Sequence, residues 1–209
     1  MNSERIARAG GWASVIAGVF GAAAAVVLIF IPPAVPETVF SHPLTPEGHL
    51  LVQVVFGVHH FVAAYGLWAF WRAGLGGTGR LANITGIGST VVFALFGVWE
   101  IVVGAFGGEP YPTPTTDVID GVYGTLSLLI AVLLVLFGVA AARARVLGPV
   151  TRWFMLGFGV FLIVPGLPLL SMGFVVGRLV IAAWLLILAL VGWTMLQWSA
   201  QADERIVAV

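Results

Sequence analysis

Glu100 is a carboxyl group set in an otherwise apolar run, Val91 to Phe106, and Arg178 is a guanidinium set in another. An ionisable side chain inside a stretch long enough to cross a bilayer is costly, so it is read first as a functional group. Paired with Arg178, Glu100 stays charged; unpaired, the low dielectric holds it neutral, and a neutral carboxyl group can act as a general acid. His59 and His60 sit in a further apolar run. At ~100° per residue His49, Gln53 and His60 share one helix face, a polar stripe running inward from one end of that helix. This selects Glu100, His60 and Tyr123 as candidate catalytic residues, with Glu100 as the proton donor and His60 or Tyr123 orienting it or receiving a proton. Gln53, Phe96, Trp99, Asp117, Asp120 and Arg178 are candidate substrate-binding residues, and the ring faces of Phe96, Trp99 and Phe106 can stabilise a developing cation. Asp117 and Asp120, spaced three apart, fit either a magnesium–diphosphate site or a helix N-terminus, where carboxylates satisfy free N–H groups; the cap is the preferred reading. Each of these groups also has a purely structural reading. Glu100 with Arg178 makes an interhelical ion pair, and His60 makes an interhelical hydrogen bond. No metal or cofactor is expected, because two histidines on one helix leave a bis-histidine haem without its second helix.

The elements that must hold these groups are apolar helices. Of 209 residues, 60% are hydrophobic and 9% charged, against about 25% charged in a soluble domain. A chain this short cannot hide so much apolar surface in its own core, so lipid has to solvate it. A spanning helix needs ~20 mostly apolar residues, and six segments qualify, at about 11–32, 49–71, 82–106, 119–142, 151–171 and 174–197. Arg5, Arg8, Arg72, Arg80, Arg143, Arg145, Arg152 and Arg205 all fall on one side of the resulting alternation. Such a bias marks the cytoplasmic face. The expected fold is therefore all-α, a polytopic integral membrane six-helix bundle forming a single domain, with N-terminus and C-terminus cytoplasmic. Arg178 alone falls on the opposite side. Counting ~1.5 Å per residue from Leu81 places Glu100 about 25–30 Å up, in the outer half.

Net charge is zero, so nothing points to a nucleic-acid partner. The absence of cysteine and lysine excludes disulfides, thiolate chemistry, iron–sulfur clusters and lysine Schiff bases. Arginine-only basicity with abundant Ala, Gly and Val suggests a high-GC bacterial genome and hence the bacterial inner membrane. The apolar run after Arg5 and Arg8 exceeds the ~7–15 residues of a signal-peptide core and reads as a true first span. Ala13, Ala17, Gly21 and Ala25 recur every four residues there, and Gly86, Gly97 and Gly104 punctuate the third span; small residues of this kind let helices approach closely. Trp68, Trp71, Trp153, Trp193 and Trp198 cluster near the inner boundary as headgroup anchors. Pro165 and Pro168 bend the fifth span, and prolines stiffen the outer connections 33–48 and 107–118.

Two resemblances follow from these residues. The six-span layout, Ser41-His42-Pro43-Leu44 in the first outer loop, and Gly177-Arg178 opening the last span resemble a bacterial family of six-span membrane proteins of unknown function. That likeness implies a fold and no activity. Trp99-Glu100-Ile101-Val102 resembles the intramembrane Trp-Glu segment of the integral-membrane terpene cyclases of fungal meroterpenoid pathways. This second likeness implies that Glu100 protonates an isoprenoid substrate; the family's second acid, in a late span, has Arg178 in its place here. Three functional classes stay open. The first is an intramembrane enzyme acting on an isoprenoid or lipid. The second is a proton-coupled small-solute transporter or channel, a class whose compact subunits assemble as homo-oligomers. The third is a non-catalytic membrane scaffold or accessory protein. Membrane lipids are partners in all three.

Overall fold

The computed structural model describes residues 3–207, with side chains through residue 202. The side chain of Arg205, assigned above to the cytoplasmic side, lies outside the described residues. The chain is all-helical, and six helices are long and apolar enough to cross a membrane. They are built from α1 (Ser3–Ile29), α2 (Pro46–Arg72), α3 (Arg80–Val103), α4 (Pro114–Ala144), α5 (Phe154–Phe161), α6 (Leu167–Leu170) and α7 (Phe174–Val207). A 3-10 turn, Gly104–Phe106, prolongs α3. The fifth crossing is composite. It joins a 3-10 turn (Thr151–Trp153), α5, a π-helical turn (Leu162–Gly166) containing Pro165, and α6.

Capping explains why several helices outrun their apolar cores. Pro46 and Pro114 occupy first-turn positions, where a missing N–H costs nothing. Thr45 caps α2 by accepting from the Gly48 N–H at 3.1 Å. On α4, Thr113 and Thr116 form a reciprocal capping box. The α4 cap is therefore Thr113 rather than an aspartate; Asp117 does lie in the first turn, as expected, and Asp120 follows one turn further on, both exposed. At the opposite end α2 gives way to a turn through Gly74 at φ 77°, and α4 ends on Arg145 at φ 54°.

The helices form a ring. α1 packs on α2 and α7, α2 on α3, α3 on α4, α4 on α5, and α5 on α7. The helices approach through glycine. A Cβ on Gly57 would stand 2.9 Å from the Gly97 carbonyl oxygen, and one on Gly97 would stand 2.8 Å from that of Gly57. This mutual contact sets α2 against α3 one turn from both His60 and Glu100. Gly86 and Gly104 serve the same interface, against Trp71 and against Leu50 and Gln53. On α1, Ala17, Gly21 and Ala25 are buried and Ala13 half-buried. Close approach there rests also on Gly11 and Gly18 against α7, and on Gly10 against Ala69 of α2. Large apolar side chains face outward all round, including Ile16, Leu51, Ile84, Leu95, Leu128 and Leu186. Such a surface suits lipid, since soluble monomers rarely expose apolar patches of more than a few hundred Å².

One end of the ring carries Arg5, Arg8, Arg72, Arg80, Arg143, Arg145 and Arg152; the other carries the two proline-rich connections. Those connections are knitted together. The Phe40 N–H donates to Glu109 O at 2.9 Å, Ser41 N–H to Gly107 O at 3.1 Å, and Tyr111 N–H to Thr38 O at 2.8 Å. Val39 and Pro110 form an isolated bridge. The result is a roof over one mouth of the ring.

Candidate functional site

Beneath that roof lies a cavity of about 390 Å³. All six crossings border it, through Leu28, His49, Gln53, His60, Glu100, Tyr123, Leu162, Leu170 and Arg178 among others, and Ser41 to Leu44 of the roof close it from above. The His49, Gln53 and His60 face does point inward, as helical geometry requires.

The carboxyl of Glu100 belongs to a hydrogen-bonded chain across three helices. The Tyr123 hydroxyl donates to Glu100 Oε2 at 2.7 Å, and the Gln53 amide donates to the same hydroxyl at 3.3 Å. Tyr123 thus spends its proton on Glu100 and its lone pair on Gln53. Glu100 is buried, 8% exposed, and its Oε1 has no protein partner among the described residues. The ion pair with Arg178 does not form. Arg178 makes no hydrogen bond; its guanidinium rests 5.0 Å from the centre of the Phe174 ring. Its charge still reaches Glu100 and Tyr123 through space.

The two adjacent histidines have opposite tautomers dictated by their partners. His60 Nδ1 donates to Phe56 O at 2.8 Å, which leaves Nε2 as a lone pair on the cavity wall. His59 Nε2 donates to Ala17 O on α1 at 2.9 Å, and its Nδ1 is buried with no donor facing it. Gly21 makes room for this bond, since a Cβ there would fall 2.6 Å from His59 Nε2. His60 also lies flat on Phe96, with centroids 4.7 Å apart and planes at 10°. At the deep end the cavity stops on Trp184, which stacks on Phe158 at 4.8 Å and on Phe93 at 5.9 Å.

Six of the nine residues proposed from sequence therefore line one cavity: Gln53, His60, Phe96, Glu100, Tyr123 and Arg178. Three do not. Trp99 follows Val98 on the helix and is turned ~100° from Glu100; it meets Tyr123 edge-on at 6.4 Å, with its indole N–H buried and unpaired. Asp117 and Asp120 are exposed beside the roof, one to two turns beyond Tyr123. Asp120 accepts from the Tyr111 hydroxyl at 3.3 Å, and its charge pushes the Tyr111 phenol above its ordinary pKa. Phe106 is likewise off the cavity wall. The sequence reading missed Trp184 and the cavity role of Ser41, whose hydroxyl is buried without a partner. The polar residues near the arginine end are satisfied locally. Thr85, Ser89 and Thr90 bond to carbonyls of their own helix, and Asn83 accepts from Trp71. Among the described residues no three His, Asp or Glu side chains converge as a metal site requires. No family model, curated protein or solved structure matches the chain.

Proposed function

We propose that the chain is an integral membrane enzyme that isomerises or cyclises an isoprenoid or lipid-like substrate by protonation from Glu100, with both termini in the cytoplasm. The orientation rests on the arginine asymmetry between the two ends of the ring. The chain has no native cysteine, so single cysteines report topology cleanly. Cysteine at Ala34 in the roof should react with an impermeant maleimide added outside intact cells, and cysteine at Thr78 should react only after permeabilisation. The reverse pattern overturns the orientation.

The Tyr123–Glu100 hydrogen bond at the wall of a roofed, largely apolar cavity carries the enzymatic reading. When Glu100 gives its proton to an alkene carbon or an epoxide oxygen, a carboxylate appears on Glu100 and a cation on the substrate. Tyr123 already donates to that carboxylate, and Arg178 adds its field, so both interactions strengthen as charge develops. This is what accelerates a chemical step, rather than binding alone. Phe96, Phe56 and Trp184 offer ring faces to the cation. The Nε2 lone pair of His60 removes a proton from the carbon next to the cationic centre, forming a double bond. No net oxidation occurs, and exchange with water returns Glu100 and His60 to their starting states.

The test is isotopic. Protein in phosphatidylcholine nanodiscs is offered epoxide- and alkene-bearing isoprenoids in D₂O, and products are analysed by mass spectrometry. An isomeric product is expected from either class, and from the alkenes it should carry deuterium on the protonated carbon; a deuteron placed on an epoxide oxygen exchanges with solvent and is not retained. Tyr123→Phe removes one hydrogen bond to a charged group, worth ~1.5–3 kcal/mol, so it should slow turnover by roughly 10–100-fold. Alkene-derived products without deuterium on carbon, or a Phe variant as fast as the native protein, would rule out protonation by this dyad.

A further inference from the structure

The roofed mouth of the cavity holds polar groups that the proton-transfer chemistry leaves unused. Ser41 Oγ is buried with no hydrogen-bond partner, and the residue is only 1% exposed. His49 Nε2 is likewise buried and unpartnered. Arg178 carries up to five N–H donors and makes no hydrogen bond or ion pair with any described residue; its guanidinium sits 5.0 Å from the centre of the Phe174 ring. The three side chains come from the roof, α2 and α7, and all border the same cavity. His49 and Arg178 lie within five residues of the starts of α2 (Pro46) and α7 (Phe174), which puts both toward the roofed end.

Desolvated groups left without partners are expensive, at about 1–3 kcal/mol each and more when charged. Two such groups, Ser41 Oγ and His49 Nε2, belong to residues that border the cavity together with the half-buried, unbonded Arg178 side chain, and a polar occupant there would satisfy them. Arg178 sets its sign. A guanidinium away from bulk water favours an oxyanion, which it can hold through two parallel bonds. Ser41 adds a hydroxyl donor. His49 adds an imidazole nitrogen that accepts from a protonated oxygen when neutral and donates to an anionic one when charged. Below this mouth the walls turn apolar, through Val52, Phe56, Leu162, Ile181 and Leu185, down to Trp184.

We infer that Arg178, Ser41 and His49 form a head-group subsite for a carboxylate or phosphate monoester, so that the substrate is an acidic amphiphile with a single apolar tail reaching past Glu100 and His60. This rests on the enzymatic reading for the word substrate, but the binding preference can be measured without turnover. At 390 Å³ the cavity lies at the small end of small-molecule pockets and suits one short tail. The anion holds the tail in register with Glu100.

The experiment measures binding of dodecanoate, dodecyl phosphate, dodecanol and inorganic phosphate to the protein in phosphatidylcholine nanodiscs. Glu100→Gln is assayed alongside to uncouple binding from chemistry. The two acidic amphiphiles should bind at least about tenfold more tightly than the alcohol, the equivalent of one charge-assisted contact. Inorganic phosphate should bind weakly, because it lacks the tail. Arg178→Gln should abolish the preference while retaining dodecanol binding. Ser41→Ala and His49→Gln should each reduce it several-fold, which keeps the test open should the Arg178 variant fail to fold. Equal binding of acid and alcohol, or a preference unchanged in all three variants, overturns the subsite. Tight binding of inorganic phosphate alone would identify a free anion as the ligand and overturn the amphiphile. An acid preference without any turnover would leave the subsite standing and remove the enzymatic reading; turnover of neutral isoprenoids without acid preference would do the opposite.

Discussion

Glu100→Gln should lose turnover by roughly 10²–10⁴-fold, the contribution a positioned general acid makes, while the protein folds and binds its ligand as before. The asymmetry follows from what the amide keeps and what it lacks. Gln has the same shape and still presents a carbonyl oxygen to the Tyr123 hydroxyl, so the bond now measured at 2.7 Å can persist. Gln53 can continue to donate to Tyr123. The amide cannot release a proton to carbon, and no charge develops for Tyr123 and Arg178 to stabilise. Thermal stability should therefore stay within a few degrees of the native protein, because no buried partner is orphaned. Glu100→Asp gives the complementary case. It retains an acid but withdraws it by one methylene from Tyr123, so partial activity is expected. The measurement is initial rate on a turned-over isoprenoid, with melting temperature in nanodiscs as the control. A Gln variant with native rate would be the single most damaging result for the enzymatic reading. Under a scaffold role the same substitution changes nothing at all.

The bundle was legible from the sequence because the bilayer allows few alternatives. Apolar length gives the number of crossings, and arginine placement gives their alternation. The helix ends were less legible, for a local reason. Pro114 and the Thr113–Thr116 capping box start α4 before its apolar run begins at Val118, so a hydropathy reading begins the helix too late and assigns the cap to Asp117. Much of the site was legible too, since a rotation of ~100° per residue puts His49, Gln53 and His60 on one face. The same rotation turns Trp99 ~100° away from Glu100, and it lies off the cavity wall. What the pattern could not reveal is contact between distant segments. Ser41 enters the cavity only because the first proline-rich connection is bonded to the second, Phe40 to Glu109 and Ser41 to Gly107. The deep wall depends on a distortion of the fifth crossing that composition signals only as Pro165.

Trp184→Ala should be the most destabilising single substitution at the cavity, by ~3–5 kcal/mol for the lost aromatic volume and about 1–3 kcal/mol more for an abandoned carbonyl. The carbonyl is the telling part. At the junction of α5 with the π turn, the Leu162 N–H bonds to Gly159 O instead of to Phe158 O, the acceptor an unbroken α-helix would use. Phe158 O is left over, and the Trp184 indole N–H takes it at 2.9 Å. Trp184→Phe separates the two contributions, since it keeps a ring against Phe93 and Phe158 and removes only the donor; it should cost about 1–3 kcal/mol. Denaturation in nanodiscs or mild detergent measures both. The same pair of variants discriminates between function classes. Trp184 with Phe93 and Phe158 forms a floor, and beneath it the core is filled by Leu67, Phe70, Leu134 and Phe137, all fully buried. A conducting path would have to cross that packed layer, and the polar side chains near the arginine end bond to their own helices and offer it no continuation. Proton or solute flux in proteoliposomes should therefore be absent in the native protein and should not appear in Trp184→Phe. A flux that rises when the floor is thinned would turn the floor into a gate and the cavity into the outer vestibule of a carrier.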